Sequence, residues 1–210
     1  MHIRTPLAAL LLLALSSFAR AGDKAVVEKQ CPLSEWPFEK GAHEVQALGG
    51  AFFGVEHNSE QRPQLNDADI QFRLGWMLTD VRYSGWLRGN YELLAEAFGA
   101  KTFTGPSGEL AGGEILLRYN FVQPEARLIP YFQIGGGALW NNVSDHPVQR
   151  LIGNDFEFVL DSNLGARWMI GKNWALTGEF SFRHISNANT ASRNNGLNSL
   201  GGLLGVSYFY

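Results

Sequence analysis

The chain has 210 residues, a formal net charge of -3, 18% charged residues and 45% hydrophobic residues. Its acidic balance, with no Lys/Arg stripe, excludes a broad nucleic-acid-binding surface. Beyond the N-terminal segment no window offers the ~18 uninterrupted apolar residues of a membrane-spanning helix.

The chain starts with M-H-I-R, runs through an apolar stretch from Leu7 to Leu15, and reaches Ala19-Arg20-Ala21. That order predicts a secretory signal peptide over residues 1–21, because the apolar core is too short to span a bilayer and the small-x-small triplet is a cleavage site. Residues 22–42 read as a periplasmic leader, where Pro32, Pro37 and scattered charge favour a loose segment over a ninth strand. Cys31, the single cysteine, has no intramolecular disulfide partner. It lies in E-K-Q-C, without the small apolar residues that precede a lipoprotein cysteine, and reads as a tolerated thiol.

From residue 43 onward the sequence alternates with period two. Val45, Ala47, Ala51, Phe53 and Val55 oppose Glu44, Gln46 and Glu56, and then Ile70, Phe72, Leu74, Trp76 and Leu78 oppose Asp69, Gln71 and Arg73. A third segment sets Leu87, Tyr91, Leu93, Ala95 and Ala97 against Arg88, Asn90, Glu92 and Glu96. A fourth sets Ile115, Leu117, Tyr119 and Phe121 against Glu114, Arg118 and Asn120. The fifth, Leu128 to Trp140, is Gly-rich, with Phe132, Ile134, Ala138 and Trp140 on one face. In the sixth, Phe156, Phe158, Leu160, Leu164, Trp168 and Ile170 oppose Glu157, Asp161, Asn163 and Arg167. The seventh runs from Trp174, and the eighth sets Leu200, Leu204, Val206, Tyr208 and Tyr210 against Ser199 and Ser207. Period-two alternation repeated in this way predicts half-buried strands.

Eight strands close a barrel whose interior is only wide enough to be filled by side chains. Apolar residues cannot fill that interior here, since both signs of charge fall on the opposite face. The expected fold is therefore all-β, an eight-stranded antiparallel up-and-down transmembrane β-barrel over residues 43–210, polar inside and apolar outside. Arg73, Glu92, Glu114, Asp161 and Arg167 would form its ion-paired plug. A composition of 24 glycines and 12% aromatics at a mean hydropathy of -0.11 fits, because exterior and lumen average out. Short links at Asp80 to Gly85, Gln123 to Arg127 and Gly171 to Asn173 read as periplasmic turns. Longer ones at His57 to Asp67, Gly99 to Ser107, Asn142 to Asn154 and Ala188 to Leu197 read as extracellular loops.

Strand seven carries the chemistry. Trp174, Leu176, Gly178, Phe180, Phe182, His184 and Ser186 share its outward face, while Thr177, Glu179, Ser181 and Arg183 point inward. At ~3.3 Å per residue and a tilt near 40°, the climb from Trp174 to Ser186 is about 30 Å, against an apolar band roughly 25 Å tall. A histidine and a serine therefore reach the outer headgroup boundary, and Asn198 reaches a similar height on strand eight. Ser Oγ needs a base within hydrogen-bond reach, and residues i and i+2 of a strand, ~6.5 Å apart at the backbone, let their side chains meet. Oxyanion donors would come from backbone amides, Asn187 or Asn194, although parity points Asn187 inward.

R-H-I-S-N-A followed by N-N-G-L-N-S, near the end of a signal-bearing eight-stranded chain, resembles the PagL-type lipid A 3-O-deacylases, the acyloxyacyl hydrolase-like outer-membrane proteins. R-G-N-Y-E-L-L-A-E in strand three is similar to that family too. The resemblance implies that His184 is the general base and Ser186 the nucleophile, acting on lipopolysaccharide of the outer leaflet in the bacterial outer membrane. The family's third triad member is a glutamate twelve residues after the serine, and Asn198 stands at that position. A neutral amide orients an imidazole but does not stabilise imidazolium with a full charge; an acid-to-amide change in a Ser-His-Asp enzyme costs ~10⁴ in turnover.

Two other readings compete: a non-catalytic barrel that binds lipopolysaccharide or stabilises the envelope, and an acyltransferase, which would need an apolar lumen. His43, His57 and His146 show no metal-ligand spacing, and no cofactor is implied. The oligomeric state is left between monomer and homodimer.

Overall fold

The computed structural model of the chain describes residues 36–55, 64–146 and 149–210. Eight antiparallel strands close into a barrel in chain order: β1 (His43–Gly54), β2 (Asn66–Met77), β3 (Gly89–Thr104), β4 (Glu109–Phe121), β5 (Leu128–Asn141), β6 (Phe156–Met169), β7 (Trp174–Ser186) and β8 (Leu197–Phe209). Closure comes from β1 pairing with β8, with Val45 opposite Tyr208 and Phe53 opposite Leu200. The expected up-and-down barrel is therefore the observed one. The expected signal peptide and most of the expected leader, residues 1–35, lie outside the described residues, as does Cys31.

Alternation decides which side each residue takes. In β2, Asp67, Asp69, Gln71 and Arg73 are buried, while Ala68, Ile70, Phe72 and Leu74 between them are exposed. Ile70, Leu160 and Leu204 are 58%, 59% and 75% exposed, and such side chains girdle the whole barrel. An apolar belt of this extent is stable only against lipid. Aromatic rings gather at the end where β1 begins and β8 finishes. Trp174 stacks near Tyr208 at 4.8 Å and His43 against Tyr210 at 5.4 Å, forming an interfacial girdle.

The lumen is layered. At the terminal end, Phe38, Ala42, Met77, Val122, Ile129, Ala175 and Phe209 form an apolar floor. Trp36 to Ala42, expected as part of a loose leader, contribute to it. Phe38 meets Phe209 at 5.5 Å, and its carbonyl accepts from Asn90 Nδ2 at 2.7 Å. At the opposite end Leu65, Phe98, Leu110, Leu139, Val143, Leu151, Ile152, Val159, Ile185 and Leu197 are part of an apolar lid. Between them Arg118 reaches Glu44 at 3.0 Å, Arg167 reaches Glu92 at 2.8 Å, and Arg73 binds Glu179 at 2.8 Å. Unpaired buried charge is costly, so a charged interior is viable only as such a network.

Two expectations need correction. The third strand is longer than its apolar pattern indicates and starts at Gly89, so the loop expected over Gly99 to Ser107 shrinks to residues 105–108. Lys101 and Thr102 look like loop residues, yet Thr102 clips the hairpin. Its amide donates to Gly108 O at 3.0 Å, and its Oγ1 accepts from Gly108 N at 2.7 Å. Gly105, at φ +88, makes the turn that a side chain would strain. Conversely, the link between β2 and β3 is longer than Asp80 to Gly85. It spans residues 78–88 and contains a 3-10 turn at Gly85–Leu87.

Candidate active site

His184 and Ser186 end β7, and Asn198 lies one residue into β8. The β7–β8 register sets His184 directly opposite Asn198, and in an antiparallel pair opposed residues share a face. The outward imidazole thus has a partner across the strand and a partner along it. Nδ1 lies 2.7 Å from Asn198 Oδ1, and Nε2 lies 3.1 Å from Ser186 Oγ. All three residues predicted to form the site converge, each half-buried.

The orientation of the Asn198 amide selects the tautomer of the neutral ring. A carbonyl oxygen only accepts, so Nδ1 carries the ring proton and donates it to Asn198; Nε2 is then the acceptor that faces the serine hydroxyl. This tautomer suits a general base. The opposite amide orientation would donate to Nδ1 and move the ring proton to Nε2, blocking the base. A carboxylate has no such second orientation.

The ring is also held from behind. Gly196 has φ +73, and a Cβ there would lie 3.2 Å from His184 Cε1. Its amide donates to Leu151 O at 3.1 Å, while that of Asn195 donates to Arg150 O at 3.0 Å. The β5–β6 loop thereby pins the approach to β8. N-N-G at residues 194–196, part of the motif that carries the family resemblance, supplies the glycine that this positive φ favours.

Asn187 and Asn194, expected as oxyanion or substrate contacts, take other roles. Asn187 is fully buried, as its parity requires, and its Nδ2 donates to Arg193 O at 2.9 Å. Its Oδ1 accepts from Asn189 N at 3.0 Å, and its amide donates to Asn194 Oδ1 at 3.1 Å. These bonds brace a tight turn in which Ala188 and Asn189 have φ of 50 and 69, closed by Thr190 N to Asn187 O at 3.1 Å. Glu157 Oε1 accepts from Asn187 Nδ2 at 3.5 Å and from Gly153 N and Asn154 N, both at 3.0 Å, and so joins this turn to the β5–β6 loop. Neither Glu157 nor Arg193 was singled out from sequence.

Among the described residues, no acid replaces Asn198 at the ring. Glu179 lies in the lumen on Arg73 and Tyr131, and Asp155 accepts from Ser144 Oγ at 2.6 Å. Apolar residues flank the site on the lipid side: Phe158 is opposite Ser186 and Leu160 opposite His184, with Phe182 next to His184 on the outward face, on the side away from Ser186. An ester whose acyl chain lies along this wall would bring its carbonyl to Ser186. Among the described residues, Glu96, Glu114 and Asp161 are the carboxylates close enough to share a cation, and they sit in the lumen.

The lipid A 3-O-deacylase (PagL) family matches residues 50–207 of the chain, a span that contains His184, Ser186 and Asn198. Two solved structures share the fold. Neisserial surface protein A (NspA) has a TM-score of 0.57 at 16% identity, over 80% of this chain and 99% of that one. The outer membrane enzyme PagL has a TM-score of 0.53 at 18% identity, over 77% and 97%. No curated protein matches the chain.

Proposed function

The chain belongs to the lipid A 3-O-deacylase family, and we propose that it is a serine esterase removing the 3-O-linked acyl chain of lipid A. The protein is an outer-membrane β-barrel, so an outward site at the headgroup boundary meets lipopolysaccharide directly. The observation that carries the reading is His184 bridging Ser186 and Asn198 on the lipid-facing surface.

In the first half-reaction His184 Nε2 takes the Ser186 hydroxyl proton as Oγ attacks the ester carbonyl. The bond from carbonyl carbon to the sugar 3-oxygen breaks, and that oxygen leaves with the proton from Nε2. Interfacial water, deprotonated by the same nitrogen, then releases the fatty acid from Ser186. Asn198 keeps the ring in the productive tautomer throughout, without the full negative charge that would stabilise imidazolium. The wall of Phe158, Leu160 and Phe182 accommodates the acyl chain.

The test is the lipid A mass spectrum of cells that express the chain. Loss of one 3-O-linked acyl chain, absent with Ser186→Ala, supports the reading; an unchanged spectrum with the folded barrel in the membrane rejects it. Asn198 favours one competitor, a non-catalytic barrel that binds lipopolysaccharide or stabilises the envelope. That competitor predicts an envelope phenotype indifferent to both His184→Ala and Ser186→Ala.

A further inference from the structure

Two halves of the lumen differ in charge. Toward the floor Glu44 and Glu92 are matched by Arg118 and Arg167, with contacts of 3.0, 3.4, 3.1 and 2.8 Å. Toward the lid the carboxylates of Asp67, Asp69, Glu96, Glu114, Asp161 and Glu179 are buried, and among the described residues the arginines they pair with are Arg73 and Arg183. Arg73 is taken by Glu96 and Glu179, and Arg183 lies 3.1 Å from Asp69 and 3.7 Å from Asp67 and Asp161. The surplus is sealed between apolar floor and apolar lid, where solvent screening is weak.

Three of those carboxylates meet. One oxygen from each of Glu96, Glu114 and Asp161 lies within 4.8 Å of the others. The strands bring them there: Glu96 and Glu114 are direct cross-strand neighbours on β3 and β4, a like-charge pairing that is ordinarily destabilising. On β5, between Glu114 and Asp161, the lumen positions opposite them are Gly137 and Gly135, so no side chain separates the two acids.

A second observation points to a ligand. Glu114 is only 3% exposed, its carboxylate is one of the three that meet, and neither of its oxygens has a hydrogen-bond partner. Both polar atoms of Asn163, two residues beyond Asp161 on the lumen side and 1% exposed, are likewise unpartnered. A buried carboxylate left so is stable only with a proton or a cation.

We propose that Glu96, Glu114 and Asp161 bind one divalent cation of the calcium class inside the barrel. The donors are all hard oxygens, as such ions require. Calcium accepts such oxygens at ~2.3–2.6 Å in a flexible geometry, whereas magnesium demands a near-ideal octahedron at ~2.1 Å. The ion ties β3, β4 and β6 together and offsets the surplus charge. Its site is separate from the outward pair on β7 and requires no enzymatic activity.

The experiment is to refold the full chain in detergent, free of lipopolysaccharide, with calcium chloride, with magnesium chloride or with chelator. Free ion is then removed and metal counted by mass spectrometry. About one calcium per folded chain is expected to survive gel filtration, with a higher melting temperature than the chelated form. Glu114→Gln and Asp161→Asn, each checked for folding by heat-modifiable gel mobility, should lose that ion. A folded wild-type barrel that retains no calcium holds protons there instead and overturns the proposal. Equal retention in both folded variants assigns the ion to the surface and overturns it as well.

Discussion

The two faces of β7 (Trp174–Ser186) divide the work of the protein between alternate residues. Outward, Phe180, Phe182, His184 and Ser186 face lipid, and His184 is hydrogen-bonded to both Ser186 and Asn198. Inward, Glu179, Ser181 and Arg183 are buried in an ionic lumen. A one-residue shift would exchange them. The outward face depends on one cross-strand pair and a few ångströms of register, while the inward face is held by contacts from several strands. Substitutions on the first should therefore change chemistry without stability, and on the second stability without chemistry.

The sharpest break of that contrast is Ser186→Ala, where deacylation should fall by about 10⁴-fold or more while the urea unfolding midpoint stays put. A similar loss of both would show that the outward face is structural. Next comes Arg118→Met inside the lumen, which leaves Glu44 with Arg167 alone and takes away one of the two guanidinium donors to Gln46 Oε1. Removing one partner of a buried ionic network costs about 3–5 kcal/mol, so unfolding in detergent should shift accordingly, with activity per folded barrel changed by no more than a few fold.

Asn198→Glu should raise turnover by ~10²-fold, because a carboxylate both removes the unproductive amide orientation and stabilises imidazolium. An unchanged rate would mean that formation of imidazolium does not limit the proposed reaction. The smallest effect is expected for Gly196→Ala. With a Cβ 3.2 Å from His184 Cε1 and φ at +73, the ring should be displaced and kcat reduced by about tenfold at unchanged KM. A rise in KM alone would instead place Gly196 in substrate binding.

Much of this was legible because period-two alternation survives wherever one side of a strand meets lipid and the other a charged lumen. Ile70 and Arg73, or Phe182 and Arg183, declare their sides by composition alone. The pattern failed where both faces are polar or small. Lys101 to Thr104 read as loop although they extend β3, and Trp36 to Ala42 read as leader although Phe38 plugs the floor. Asn187 shows the limit of residue type as a guide: its amide suits an oxyanion contact, but its parity commits it to bracing the turn.

By itself the sequence determined the strand number, the apolar exterior and the pair of His184 and Ser186 on one face, since all three depend on local periodicity. Only the tertiary structure decided the rest. Whether Asn198 stands opposite His184 depends on the register of two strands, and whether Glu96, Glu114 and Asp161 meet depends on barrel closure. These are contacts between residues far apart in the chain, and no local pattern encodes their distance.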